Sequence, residues 1–147
     1  MSSPAPDFNL DQARFPAQRE FALAADPEAV GAAVDAMMAF MDASGISLQK
    51  QAEIALAVTE AVVNAVVHGS GADRGKTVRC IVGCDASGGV LIAVRDSGPG
   101  YDPASIADPL SREGLQRDHG RGLHLIRQLM DEVTFAHNGA EIRMWKK

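Results

Sequence analysis

The run from Glu53 to Gly69, EIALAVTEAVVNAVVHG, constrains this chain more than any other stretch, because it sets Glu60, Asn64 and His68 four residues apart inside an otherwise apolar segment. An α-helix turns by about 100° per residue, so steps of four advance by roughly 40°, and the three polar side chains share one narrow stripe about 6 Å apart along the axis. The pairs Val62-Val63 and Val66-Val67 lower helix propensity and, taken alone, would fit a strand. Length and alanine content decide for a helix, since an uninterrupted segment carrying Ala52, Ala55, Ala57, Ala61 and Ala65 is far too long for an ordinary strand. A helix buried on most of its circumference has no structural reason to carry a carboxylate, an amide and an imidazole in one row, because each is costly to desolvate without a partner. The row is therefore expected to face a cavity.

Around that helix the chain reads as a short series of elements. Residues 1–16, with Pro4, Pro6 and Pro16, are expected as a loosely ordered lead-in, and 17–147 as a single domain. Phe21 and Leu23 alternate with polar neighbours in a first strand from Ala17 to Leu23. Asp26-Pro27-Glu28 then supplies an N-cap, a proline at the first helical position and an acidic first turn. In the helix that follows, Val30, Ala33, Val34, Met37, Met38 and Met41 recur at core-facing spacing, and Gly45 ends it. Ser47 caps the second helix. Thr77 to Cys84 and Val90 to Arg95 alternate as strands around Ser87-Gly88-Gly89, which makes a hairpin. A third helix, Leu123 to Met130, opens at Gly120-Arg121-Gly122. Val133 to Ala136 and Ala140 to Trp145 close the chain as a hairpin around Asn138-Gly139, a type I′ turn signal. The fold class is α+β: a mainly antiparallel sheet covered on one face by three helices.

Composition narrows the partners. With 147 residues and 46% hydrophobic content, one compact domain burying roughly 70% of its unfolded surface is expected. The sequence MSSPAPDFNLDQARFP lacks a signal-peptide pattern and there is no run of 18 apolar residues, so the expected setting is cytoplasmic, with no membrane partner. A formal net charge of -5 without a dense Lys/Arg block argues against direct binding of nucleic acid. An anionic ligand would then have to be held by local devices: a divalent cation, helix N-terminal amides or a few arginines. Cys80 and Cys84, in one strand, have Cα atoms about 13 Å apart, beyond disulfide reach, and are expected as reduced core residues.

Two further motifs join the first. Asp96-Ser97-Gly98-Pro99-Gly100 follows a strand directly, and Tyr101 to His119, with Pro103, Pro109 and Gly114, has the length and irregularity of a lid. Gly120-Arg121-Gly122 then begins the last helix. Alone, each motif has a plain structural reading: a turn, a tight helix start, a hydrogen-bonded polar seam in the core. In this order, with a long loop between the second and third, they are far more specific.

Glu60-Ala-Val-Val-Asn64-Ala-Val-Val-His68-Gly69, Asp96-Ser-Gly98-Pro-Gly100 and Gly120-Arg-Gly122-Leu123 resemble the N box and the two glycine boxes of the GHKL ATPases, and within them the small anti-sigma-factor serine kinases of bacterial partner-switching systems. The likeness runs from about Arg19 to Lys146. It implies a Bergerat-type two-layer sandwich, an ATP site between the helical layer and the lid, Mg2+ as cofactor, and a serine of an anti-sigma-factor antagonist as phosphoacceptor. A sigma factor as second partner and a homodimer are implied in the same way.

The residues suit those roles. The Asn64 carbonyl is a hard oxygen ligand for magnesium, which takes phosphate oxygens and waters for the rest. Glu60, one turn earlier, can accept the proton of an incoming hydroxyl. An ionised Asp96 accepts but cannot donate a hydrogen bond, which suits the exocyclic amine of adenine. Gly98 and Gly100 let backbone approach the nucleotide, and Gly120 and Gly122 do the same at the mouth of a helix whose free N–H groups favour phosphate. Arg121 is either a cation for the phosphates or a solvated surface residue, and His68 either borders the ATP site or caps a long helix. His119, His124 and His137 have no ligand spacing. Besides the kinase, two alternatives stand: a module of the same fold that holds nucleotide and partner without transferring phosphate, and a metabolite-binding α+β domain without nucleotide chemistry.

Overall fold

The strands pair as their alternation requires. The structure is a computed structural model that describes residues 8–98 and 118–147. Its strands are β1 (Ala17–Ala24), β2 (Thr77–Cys84), β3 (Val90–Arg95), β4 (Glu132–Ala136) and β5 (Glu141–Lys146), in one sheet of order β1-β2-β3-β5-β4. Every neighbouring pair is antiparallel, with Cys80 opposite both Phe21 and Val94, and Ile92 opposite Met144. The helices are α1 (Val30–Ala43), α2 (Leu48–Asn64) and α3 (Asp118–Leu129). Alternate strand residues (Leu23, Val78, Cys80, Val82, Ile92, Val94, Met144) form one core with Val34, Met37 and Met41 of α1, Ile54, Val58 and Val62 of α2, and Ile126 of α3. This is the α+β sandwich of a five-stranded antiparallel sheet under three helices.

Local signals explain the connections. The Asp26 carboxylate accepts from the Glu28 N–H at 3.0 Å and starts a short 3-10 turn, Pro27–Ala29, that leads into α1. Ser47 accepts from the Lys50 N–H at 3.2 Å and caps α2. In the β2–β3 turn the Asp85 carboxylate takes the N–H groups of Ser87 and Gly89 at 2.8 and 2.7 Å. Between β4 and β5, Asn138 (φ 57°, ψ 33°) and Gly139 (φ 86°) adopt type I′ geometry, closed by Ala140 N–H to the His137 carbonyl at 3.1 Å. Lys146 at the end of β5 donates to the Leu129 carbonyl at the C-terminus of α3 and pairs with Glu53 of α2 at 2.6 Å, tying sheet to both helices.

Two expectations change. Residues 8–15, expected in a loose lead-in, pack on the sheet face opposite the helices: Phe8, Leu10 and Phe15 are buried with Ile81 and Ala93, beside Leu91 and Trp145. Gly83 makes room for them, since a Cβ there would run into Leu10 and Phe15. The third helix begins at Asp118, not at Gly120, so residues 118 and 119 of the expected lid belong to α3, and both Gly120 and Gly122 lie within the helix. The remainder of that lid, 101–117, and Gly100 are outside the described residues.

Segment Leu48–Gly69 is long and apolar enough, by length and composition, to cross a bilayer. Here it lies on the sheet between α1 and α3, with Ile54, Ala57, Val58, Val62 and Val66 buried.

Candidate functional site

Three chain segments meet where α2 ends. The α-helix gives way after Asn64 to a single π-helical turn, Ala65–Gly69, in which the Ser70 N–H bonds back to the Ala65 carbonyl at 2.9 Å. A π turn holds more residues than an α turn, so the fourth residue beyond Asn64 no longer returns to its face. His68 is exposed, while Glu60 and Asn64 are half-buried. The expected file of three is thus interrupted after Asn64 by the π turn, and His68 lies within that turn.

Gly122 of α3 sits directly over that pair. A Cβ at this position would lie 2.8 Å from Glu60 Oε2 and 3.3 Å from the Asn64 carboxamide, so α3 approaches α2 as closely as it does only because the side chain is absent. A glycine inside a helix costs about 1 kcal/mol against alanine. The close approach is what that cost secures. Leu123, the next residue, is buried.

The segment after β3 meets the far end of the π turn. Asp96 leaves the sheet with its N–H on the Ala140 carbonyl at 2.9 Å, and its Oδ1 accepts from the Gly98 N–H at 2.7 Å. A Cβ on Gly69 would fall on the Asp96 carboxylate, and one on Gly98 would fall on the Gly69 carbonyl. Burial pushes the Asp96 carboxyl above the usual aspartate range, against the opposing pull of the Gly98 N–H and the more distant Lys76. It is a half-desolvated acceptor, held by one oxygen. Gly69 was part of a motif but not a site candidate in its own right; a glycine directly after the last polar residue of the α2 run was the available signal.

The sequence-derived residues therefore divide as follows. Glu60, Asn64 and Gly122 form one cluster, and Asp96, Gly98 and Gly69 a second, joined by the π turn. Gly120 lies in the first turn of α3, where backbone N–H groups lack helical partners. Arg121 occupies the next position of the same turn. A carboxylate beside a carboxamide can take a proton and offer an oxygen to a hard cation. A desolvated carboxylate flanked by bare glycines can accept hydrogen bonds from a flat heterocycle.

A family model described as a histidine kinase-like ATPase domain matches residues 23–146. Among solved structures, the crystal structure of the RsbU and RsbW domains of Rv1364c from Mycobacterium tuberculosis has a TM-score of 0.59 and 20% identity, covering 88% of this chain and 31% of that one. That likeness is one of fold, and this chain spans less than a third of that chain's length. No curated protein matches.

Proposed function

The chain belongs to the histidine kinase-like ATPase domain family, and from that premise we propose that it is an Mg-ATP-dependent serine protein kinase of a partner-switching system. Its substrate is an anti-sigma-factor antagonist, and in its other state it sequesters a sigma factor, as a homodimer. The observation that carries this reading is the convergence of all three motifs: Gly122 against Glu60 and Asn64, and Gly69 against Asp96 and Gly98.

The donor set fits the ligand. Asn64 contributes one hard oxygen, enough for an ion that takes its other ligands from phosphate and water. When bound, ATP would supply the γ-phosphoryl group and leave as ADP, and the magnesium ion would offset the negative charge on the phosphates. Asp96 accepts the amino hydrogen of the base. The first turn of α3 offers N–H groups and the positive end of its dipole to the phosphates, with Arg121 adding a cation. Glu60 would accept the proton of an incoming serine hydroxyl whose oxygen takes the γ-phosphoryl group.

The test is transfer of labelled γ-phosphate from Mg-ATP to candidate antagonist proteins. Label is expected on a partner serine. Glu60→Gln should bind ATP nearly as well as the native protein while transfer slows by about 10² or more. Equal transfer by both proteins would remove Glu60 from the chemistry. Tight ATP binding by the native protein without label on any partner would leave the non-phosphorylating module of the same fold.

A further inference from the structure

We propose that Arg95 is a positioning residue for the nucleobase: by gripping the β4–β5 turn on both sides of Ala140 it fixes the carbonyl from which Asp96 hangs, and so sets where the Asp96 carboxylate meets the amine of the base. The inference rests on the nucleotide reading above. Asp96 is where the sheet gives out. The β2–β3 register ends at the Arg79–Arg95 pair. On the other side the Asp96 N–H reaches the Ala140 carbonyl at 2.9 Å, and that rung is only half made, because the Ala140 N–H turns back to the His137 carbonyl at 3.1 Å. Among the described residues, one backbone hydrogen bond thus ties Asp96 to the sheet before its Oδ1 takes the Gly98 N–H at 2.7 Å.

Ala140 belongs to a turn that has to be held. His137, Asn138 and Gly139 follow one another at φ 52°, 57° and 86°, and a histidine takes that left-handed conformation at a cost that its surroundings must offset. Arg95 makes contacts that do so. Its guanidinium donates to Glu141 Oε1 at 2.7 Å and to His137 Nε2 at 2.8 Å, so one planar fork grips the residue after Ala140 and the residue three before it. An arginine has no acceptor, so the histidine nitrogen facing it accepts and the ring proton sits on Nδ1. The Arg95 side chain is 14% exposed and lies over the Phe8 ring at 4.7 Å, which shields these bonds from water. A cross-strand ion pair would need the Glu141 contact alone; the arm to His137 pairs no charge and serves the turn. Arg95 faces Phe8, on the side of the sheet away from the helices, whereas Asp96 meets Gly69 at the end of the α2 run. It therefore acts on the base through the backbone.

The experiment measures, by calorimetric titration, the binding of ATP and of purine riboside triphosphate, which carries hydrogen in place of the amine, to the native protein, Arg95→Lys, His137→Ala and Arg143→Gln. A lysine keeps a charge for Glu141 but cannot serve two partners in one plane, and His137, 43% exposed, can be truncated without opening the core. The native protein should bind ATP about tenfold more tightly than the analogue, the worth of one hydrogen bond to a carboxylate. Arg95→Lys and His137→Ala should each lose about fivefold for ATP and under about twofold for the analogue, because the loss passes through Asp96. For the same reason Arg95→Lys should change ATP affinity by less than about twofold when it is made in Asp96→Asn. Arg143 holds the other oxygen of Glu141 and does not touch the turn, so Arg143→Gln should keep the native ratio of the two affinities however far its melting temperature falls. Equal losses for ATP and analogue, or a ratio that falls in Arg143→Gln as it does in the other two, make the cluster a brace for the sheet alone and overturn the proposal with ATP binding intact. A native protein that binds ATP no better than the analogue overturns the reading of Asp96, one that binds neither overturns the nucleotide reading, and this inference goes with either.

Discussion

At Gly122 a single methyl group is enough to separate site from scaffold. Alanine there would gain about 1 kcal/mol of helix propensity, yet its Cβ would press on Glu60 Oε2 at 2.8 Å. Gly122→Ala should therefore fold with a melting temperature close to native and bind ATP at least about tenfold more weakly, as read by calorimetric titration. Asp96 gives a second prediction, on pH. Its folded value is raised, so on acidification the folded protein takes up this proton before an ordinary aspartate would, and protonation there does not cost stability. What is lost is the acceptor. ATP affinity should decline on acidification from a higher pH than a normal aspartate would give, with no loss of fold by circular dichroism over the same range. Both positions could be singled out in the sequence as a glycine and an aspartate at fixed offsets, but that Gly122 makes room for Glu60 and Asn64 could not. The π turn was not readable: the spacing of four that set His68 in file with Asn64 holds only while the helix stays α, and a run of β-branched valines gives no sign of where a π turn begins.

Elements hold these residues through a charged cluster on the sheet face away from the helices. Glu141 of β5, 1% exposed, receives Arg95 of β3 at 2.7 Å and Arg143 at 2.8 Å. Arg95 also meets His137 Nε2 at 2.8 Å and stacks on Phe8. This pair of strand ends matters because the next rung of the ladder is Asp96 N–H to the Ala140 carbonyl. Burial pushes the Glu141 carboxyl up, but the hydrogen bonds and charges of Arg143 and Arg95 outweigh it and hold the group below the usual glutamate range. A depressed folded value means that its stabilisation is present above the unfolded pKa and disappears as pH falls through the folded one. Glu141→Gln removes the shared anion and leaves two guanidinium groups facing each other, which should cost about 3 kcal/mol in urea unfolding at neutral pH. The difference between variant and native should shrink as the pH drops below the ordinary glutamate range. The alternation of β5 gave the strand, its partner and its turn. It did not reveal the cluster, because a Glu-x-Arg pair in a strand looks like a solvated face until the register sets Arg95 beside it.

On the scale of the whole molecule, the helical layer was legible and the opposite face was not. Periodicity works where an element repeats, and α1, α2 and the strands repeat their apolar positions often enough to show which side is buried. Phe8, Leu10 and Phe15 follow neither a helical nor a strand period, and the prolines around them describe an irregular chain; yet an irregular chain can still cover a sheet when its few large side chains find pockets. The pockets were signalled by Gly83, which removes a side chain from the outer row of β2, and by Trp145, whose ring meets Phe15 edge-on at 6.2 Å with Arg14 stacked on both. Two substitutions measure how far the segment belongs to the fold. Phe15 is 2% exposed, so Phe15→Ala should cost about 3 kcal/mol or more if the segment stays on the sheet. Leu48, at 77% exposed on the first turn of α2, should lose under about 0.5 kcal/mol on the same change, although it lies in the helix that carries the site. For a domain of this size the first variant corresponds to a fall of roughly 10 °C in melting temperature and the second to almost none. Equal, small effects at both positions would mean that the segment leaves the sheet readily in solution, exposing Ile81, Leu91 and Trp145 as an apolar face.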